Sequence, residues 1–187
     1  MIGRATAIAG VVACASLLFA ASSPGAPEAL CFGSVPTITG SGTILGTAGD
    51  DVILGSAEND VILAGGGNDK VCASAGDDDV RGAGGNDSLD GENGDDEVRG
   101  QEGNNLVVGG NGNDLVAGGP GIDAVFGGNG DDDVRGGFGD GDAVAGEHGD
   151  DFLQGGPGTG DSCDGGPGED GAETSGVEAC ETVTNVP

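Results

Sequence analysis

Aspartate returns at a fixed interval through most of this 187-residue chain. In blocks of nine counted from Gly46, the sixth position is Asp51, Asp60, Asp69, Asp78, Asp87 and Asp96, then Asn105, then Asp114, Asp123 and Asp132. Asp142, Asp151, Asp161 and Asp170 continue the row past two blocks lengthened by one residue. Positions one and four of the blocks are mostly glycine, and position five is commonly Asn or Asp. Glycine-rich turns expose backbone carbonyls, and carboxylates beside carbonyls form an all-oxygen donor set suited to a hard cation. Zinc chemistry has no comparable basis, because His148 is the only histidine and the cysteines lack C-x-x-C spacing.

The elements that must hold these carboxylates follow from the same period. Position eight is apolar: Ile53, Ile62, Val71, Val80, Leu89, Val98, Val107, Val116, Val125 and Val134, then Val144 and Leu153. Positions one to six carry residue types that tolerate positive φ, as consecutive tight turns require. Positions seven to nine, centred on a β-branched residue, predict a three-residue strand with its middle side chain inward. Ten such units run unbroken from Gly46 to Arg135. Without that period the composition would read as disorder, with 44 glycines, 33 acidic residues, five basic residues and a net charge of −28. One apolar side chain per nine residues is too little burial to offset the ordering of nine backbones, and stacked aspartates repel one another. A cation between turns answers both problems. Calcium takes six to eight oxygens in irregular geometry, whereas magnesium demands a stricter octahedron with fewer protein ligands. Calcium ions, several of them, are the expected cofactor.

The units resemble the RTX, or hemolysin-type, calcium-binding nonapeptide repeat, G-G-x-G-x-D-x-U-x with U a large apolar residue. GGNGNDLVA at 109–117 and GGNGDDDVR at 127–135 fit that pattern at every specified position. The resemblance covers about 120 residues and implies an all-β, right-handed parallel β-roll, a solenoid of glycine-rich nonapeptides. Two units would make one coil, giving two sheets back to back, with Ca²⁺ between the turns of successive coils. Carried over by position, the ligands are Asp51, Asp60, Asp69, Asp78, Asp87, Asp96, Asp114, Asp123 and Asp132, then Asp142, Asp151 and Asp161. Asn105 predicts a weak or missing site, and Glu58 in place of glycine and the two lengthened units predict local departures. RTX toxins and enzymes usually carry a large domain before the repeats; this chain resembles the small exported members made of little except the roll.

The flanks predict export. Residues 1–22 have the form of a secretory signal peptide, with Arg4, an apolar run from Ala5 to Ala21, and small residues for cleavage near Ser22. No basic stop-transfer cluster follows, so a membrane span is not expected. Residues 23–45 are expected as an N-terminal linker and cap, 46–164 as the roll, and 165–187 as a degenerate last repeat with a C-terminal cap. Removing the signal also removes Cys14 and leaves Cys31, Cys72, Cys163 and Cys180, an even number that allows three disulfide connectivities. Bonds Cys31–Cys72 and Cys163–Cys180 would clamp the two ends of an open roll; reduced thiols or another connectivity are the alternatives.

Outward positions 18 residues apart stack on one sheet. One face pairs Asp79 with Arg81, Glu97 with Arg99 and Asp133 with Arg135, a structural surface of individually weak ion pairs. The other stacks Leu106 and Val108 against Ala124 and Phe126, a candidate partner face. Five basic residues exclude a nucleic-acid surface. Catalysis is not expected, since His148 beside Glu147 lacks a nearby nucleophile. The sequence thus predicts a secreted, calcium-folded, non-enzymatic protein. The alternative is an extracellular adhesive or matrix module that displays a protein- or glycan-binding face.

Overall fold

The computed structural model describes residues 29–172 and 180–185; the expected signal segment and Cys14 lie outside them. Among the described residues there are seventeen strands and no helix, from β1 (Ile38–Thr39) to β17 (Thr182–Thr184). Odd-numbered strands form one nine-stranded sheet and even-numbered strands an eight-stranded one, so the chain alternates between sheets with every unit. All ladders are parallel, with neighbours one coil apart: Val80 pairs with Val98 and Val116 with Val134, while Leu89 pairs with Val107 and Val107 with Val125. This is the all-β parallel roll that the resemblance to the RTX repeat implies. Parallel sheets usually have both faces covered by helices. Here each sheet covers the other's inner face, and the outer faces carry the alternate residues, polar and apolar together.

The core is the position-eight column. Ile53, Ile62, Val71, Val80, Leu89 and the following residues to Leu153 are wholly or almost wholly buried, with Cys163 extending the row. The two lengthened units keep this column in register, since Val125 pairs with Val144 and Val144 with Cys163. Their extra residues are absorbed at Gly141 and Gly160, both at left-handed φ of 87° and 84° and free of close neighbours.

Most central strands are longer than the three residues expected. Strand β6 is Asp79–Gly84, β8 is Glu97–Glu102 and β10 is Leu115–Pro120, six residues each. The ladder runs on through positions one to three of the next unit, pairing Gly65 with Ala83 and Gly66 with Gly84. Pairing to the adjacent coil overrides the low strand propensity of glycine. The tight part of each turn shrinks to positions four to six, where glycine is required. A Cβ on Gly112, at φ 140°, would lie 1.9 Å from the Gly94 carbonyl oxygen of the coil below.

Both ends are pinned. Cys31 is bonded to Cys72 on β5 (Lys70–Cys72), and Cys163 on β15 (Ser162–Asp164) to Cys180, the pairing expected from the capping requirement. Strand pairing continues past residues 46 and 164 at both ends. β1 and β2 (Thr43–Leu45) precede the first glycine-aspartate unit, and β16 (Gly171–Ala172) and β17 follow the last regular one. The capping segments are therefore themselves strands of the two sheets.

Candidate metal centre

The position-six side chains point into the turns and line the two long edges of the roll. All are buried, none more than 8% exposed. One oxygen of each is committed to the fold. The backbone N–H of a position-six residue donates to the Oδ1 atom of its counterpart one coil on, as Asp78 does to Asp96 at 2.8 Å and Asp96 to Asp114 at 2.7 Å. Past the insertions the contact persists with one more residue between partners: Asp123 donates to Asp142 at 2.8 Å, and Asp142 to Asp161 at 2.9 Å. Position five is committed in the same way. Asn86 donates its N–H to the Asn68 side-chain oxygen at 2.9 Å, and Asn104 to that of Asn86 at 2.8 Å. These Asn and Asp side chains knit the coils together.

The second carboxylate oxygen has no such partner. Oδ2 of Asp69, Asp78, Asp87, Asp96, Asp114, Asp123, Asp132, Asp142, Asp151, Asp161 and Asp170 is buried without a hydrogen bond. A buried, unpaired polar atom costs about 1–3 kcal/mol, and more when charged. Eleven of them in one fold call for a proton or a counter-charge.

Asn105 shows what surrounds that atom. Its Nδ2 stands where the aspartates have Oδ2, and it donates to the carbonyl oxygens of Gln101 at 3.1 Å and Gly103 at 3.3 Å. A carboxylate oxygen in that position faces carbonyl oxygens of positions two and four, which can be satisfied only by a proton or a cation. In the central turns the position-one glycine is close against that oxygen: a Cβ on Gly91 would lie 2.4 Å from Asp96 Oδ2, and one on Gly109 2.5 Å from Asp114 Oδ2.

The electrostatics agree. Burial, reinforced by the aspartates of adjacent coils and opposed by the backbone hydrogen bond, pushes Asp78 and Asp114 up to about 7. For Asp69, Asp96 and Asp132 the same forces give about 6. Asp123 is also raised to about 6, by burial first and by Asp142 beyond it. Along one edge the position-five and position-six residues Asn59, Asp77, Asp78, Asp95, Asp96 and Asn113 line a trough of about 500 Å³. Such an acidic trough concentrates cations at its surface.

Among the described residues, no three His, Cys, Asp or Glu side chains converge on one point. What each turn offers instead is one carboxylate beside backbone carbonyls, oxygen throughout. That set fits Ca²⁺, which accepts carbonyls and carboxylates in irregular arrangements. The family model described as the RTX calcium-binding nonapeptide repeat (4 copies) matches residues 38–71, 73–107 and 108–143, more than half of the chain. The chain belongs to the RTX calcium-binding nonapeptide repeat family. No curated protein matches it. The RTX assignment carries a calcium-binding role, and the RTX roll is a structural calcium-binding fold.

The position-six residues divide into groups on these RTX turns. Ten of the twelve aspartates expected as ligands have the orphaned Oδ2. Asp51 and Asp60 are buried in the same rows, yet their Oδ2 atoms accept hydrogen bonds from Thr47 and Ser56. Asp170, outside the expected ligand set, has the same orphaned oxygen and is 5% exposed. The signal for it was present in GGPGED, whose aspartate keeps the spacing although the apolar residue after it shrinks to Ala172. Glu147 and His148 end the strand Ala143–His148, paired with Gly128 and Asn129, and line a pocket with Gly166 and Pro167.

Proposed function

We propose that this chain is an exported protein that folds as calcium binds between its coils and that has no catalytic activity. The ligands on this reading are Asp69, Asp78, Asp87, Asp96, Asp114, Asp123, Asp132, Asp142, Asp151, Asp161 and Asp170, each with turn carbonyls of its own and the neighbouring coil. The observation that carries it is the row of buried, unpartnered Oδ2 atoms facing carbonyl oxygens. Bound Ca²⁺ supplies the positive charge that this all-oxygen lining lacks. The protein's own part is to hold one carboxylate oxygen by a backbone N–H and aim the other into the turn.

Export is supported by the two disulfides, which persist in oxidising compartments, and by the leader-like first 22 residues. Extracellular RTX-type modules would meet calcium there at the concentrations that weak sites need, about 10⁻⁴–10⁻³ M. A second reading, an adhesive or matrix module, draws on the outer face of the odd-numbered sheet. There Leu106 pairs with Ala124, and Val108 with Phe126, which in turn pairs with Ala145.

Equilibrium dialysis against Ca²⁺, with the hydrodynamic radius followed in parallel, tests the primary reading. Several ions bound per chain together with compaction support it; an unchanged radius and no bound calcium refute it.

A further inference from the structure

We propose that three turns of the roll, Thr47–Asp51, Ser56–Asp60 and Gln101–Asn105, are closed by the protein's own hydrogen bonds and take no calcium through their position-six side chains. The proposal rests on the calcium reading of the other turns. It makes the N-terminal coil a metal-independent cap and divides one of the two calcium rows.

In the first turn, Asp51 Oδ2 accepts from the Thr47 N–H at 2.7 Å and from the Thr47 hydroxyl at 2.9 Å. In the second, Asp60 Oδ2 accepts from the Ser56 N–H at 2.8 Å and its hydroxyl at 3.0 Å. Each hydroxyl oxygen also accepts an N–H two residues on, from Gly49 and Glu58, both at 3.2 Å. Two donors thus occupy the oxygen that elsewhere is orphaned.

The hydroxyl alone does not bring this about. Ser74 occupies position two of the fourth unit, yet Asp78 Oδ2 in that turn has no partner. The difference lies in the backbone. Ser74 has φ 90°, and position two is also left-handed at Gly65, Ala83, Glu92 and Gln101, whereas Thr47 and Ser56 are not. Only in the first two turns does the position-two N–H turn toward the carboxylate. Beneath the Ser56–Asp60 turn lies Gly40–Gly42, where Gly42 stands in the position-six place and donates its N–H to Asp60 Oδ1, so the turn below brings no carboxylate of its own.

The Asn105 turn reaches the same end by another route. Gln101 keeps the left-handed conformation of the calcium-type turns, with φ 69°, and the amide nitrogen bridges the carbonyls that would otherwise face the ion. Asn105 still donates its N–H to Asp123 Oδ1 and accepts that of Asp87, so the stack is continuous there while its charge is interrupted. Together with the Cys31–Cys72 bond, the first two closed turns give the roll a preformed edge against which the calcium-dependent coils add.

The test is the number of Ca²⁺ ions bound at saturation by the oxidised protein, measured by equilibrium dialysis, with the far-UV spectrum in calcium checking that each variant folds. The double variant Asp51→Asn, Asp60→Asn should bind as many ions as the wild type, and Asp96→Asn at least one fewer. Asn105→Asp should bind at least one more. Loss of ions in the Asp51/Asp60 variant, or no gain in Asn105→Asp, would overturn the proposal while leaving the calcium reading intact. A wild-type protein that binds none would overturn both.

Discussion

Acidification of the calcium-stripped, disulfide-bonded protein from about pH 8 to about pH 5 should raise its β content. Six aspartates have folded-state values of about 6 to 7 against about 3.8 for an ordinary one, because burial disfavours their charged form. A group raised in the fold binds its proton more tightly there than in the unfolded chain. Its contribution to stability is complete below about pH 4 and is lost as pH rises through 6 to 7. Each such proton adds about 1.4 kcal/mol per pH unit to the slope, so several acting together give a steep transition, shared among the coupled carboxylates. Asn105 supplies the structural precedent: a protonated aspartate is nearly its isostere and can donate to the same two carbonyls. Far-UV circular dichroism against pH is the assay, with a calcium-saturated sample as control. The calcium-free signal should grow on acidification with a midpoint near 6 to 7, and the calcium-loaded signal should stay flat down to about pH 6. A calcium-free signal that is flat, or that grows toward alkaline pH, would refute the reasoning.

Glycine substitutions should separate the tight part of the turn from the strand that enters it. Gly112→Ala puts a Cβ against the Gly94 carbonyl at a disallowed φ and should lower stability in calcium by more than about 3 kcal/mol. Gly84→Ala has open space and an ordinary φ and should stay within about 1 kcal/mol of wild type; urea midpoints in calcium measure both. Reducing the disulfides should raise the calcium concentration needed for half-maximal β signal. The 17-residue separation of Cys163 and Cys180 is worth about 3 kcal/mol in the chain-entropy model, and the 41-residue separation of Cys31 and Cys72 somewhat more. An unchanged midpoint under reductant would mean that the ends are held by strand pairing alone.

The architecture was legible because one period carries it. The Ile53-to-Leu153 column and the Asp51-to-Asp161 row name the core and the edges directly, and residues 18 apart are ladder partners over most of the roll. The cysteine pairing was legible from the need to cap open ends. The six-residue strands were not, since positions one to three are glycine-rich and become extended only when paired to the next coil, as Gly66 is to Gly84. Nor were the separate states of the position-six aspartates. Thr47, Ser56 and Ser74 are nearly the same residue at the same position, and only the backbone conformation decides whether Asp51, Asp60 and Asp78 have a free oxygen. Asp170 escaped because its unit ends GAE, with the small Ala172 in place of the large apolar residue that marks most of the others.

The central claim is that the buried aspartate oxygens need calcium for the roll to form. Far-UV circular dichroism of the oxidised protein at about pH 7.5, titrated with Ca²⁺ from a chelated start and with Mg²⁺ in parallel, tests it most directly. The account predicts a cooperative gain of β signal with Ca²⁺ and little or none with Mg²⁺. A chelated protein that is already fully folded, and that calcium leaves unchanged, would contradict it.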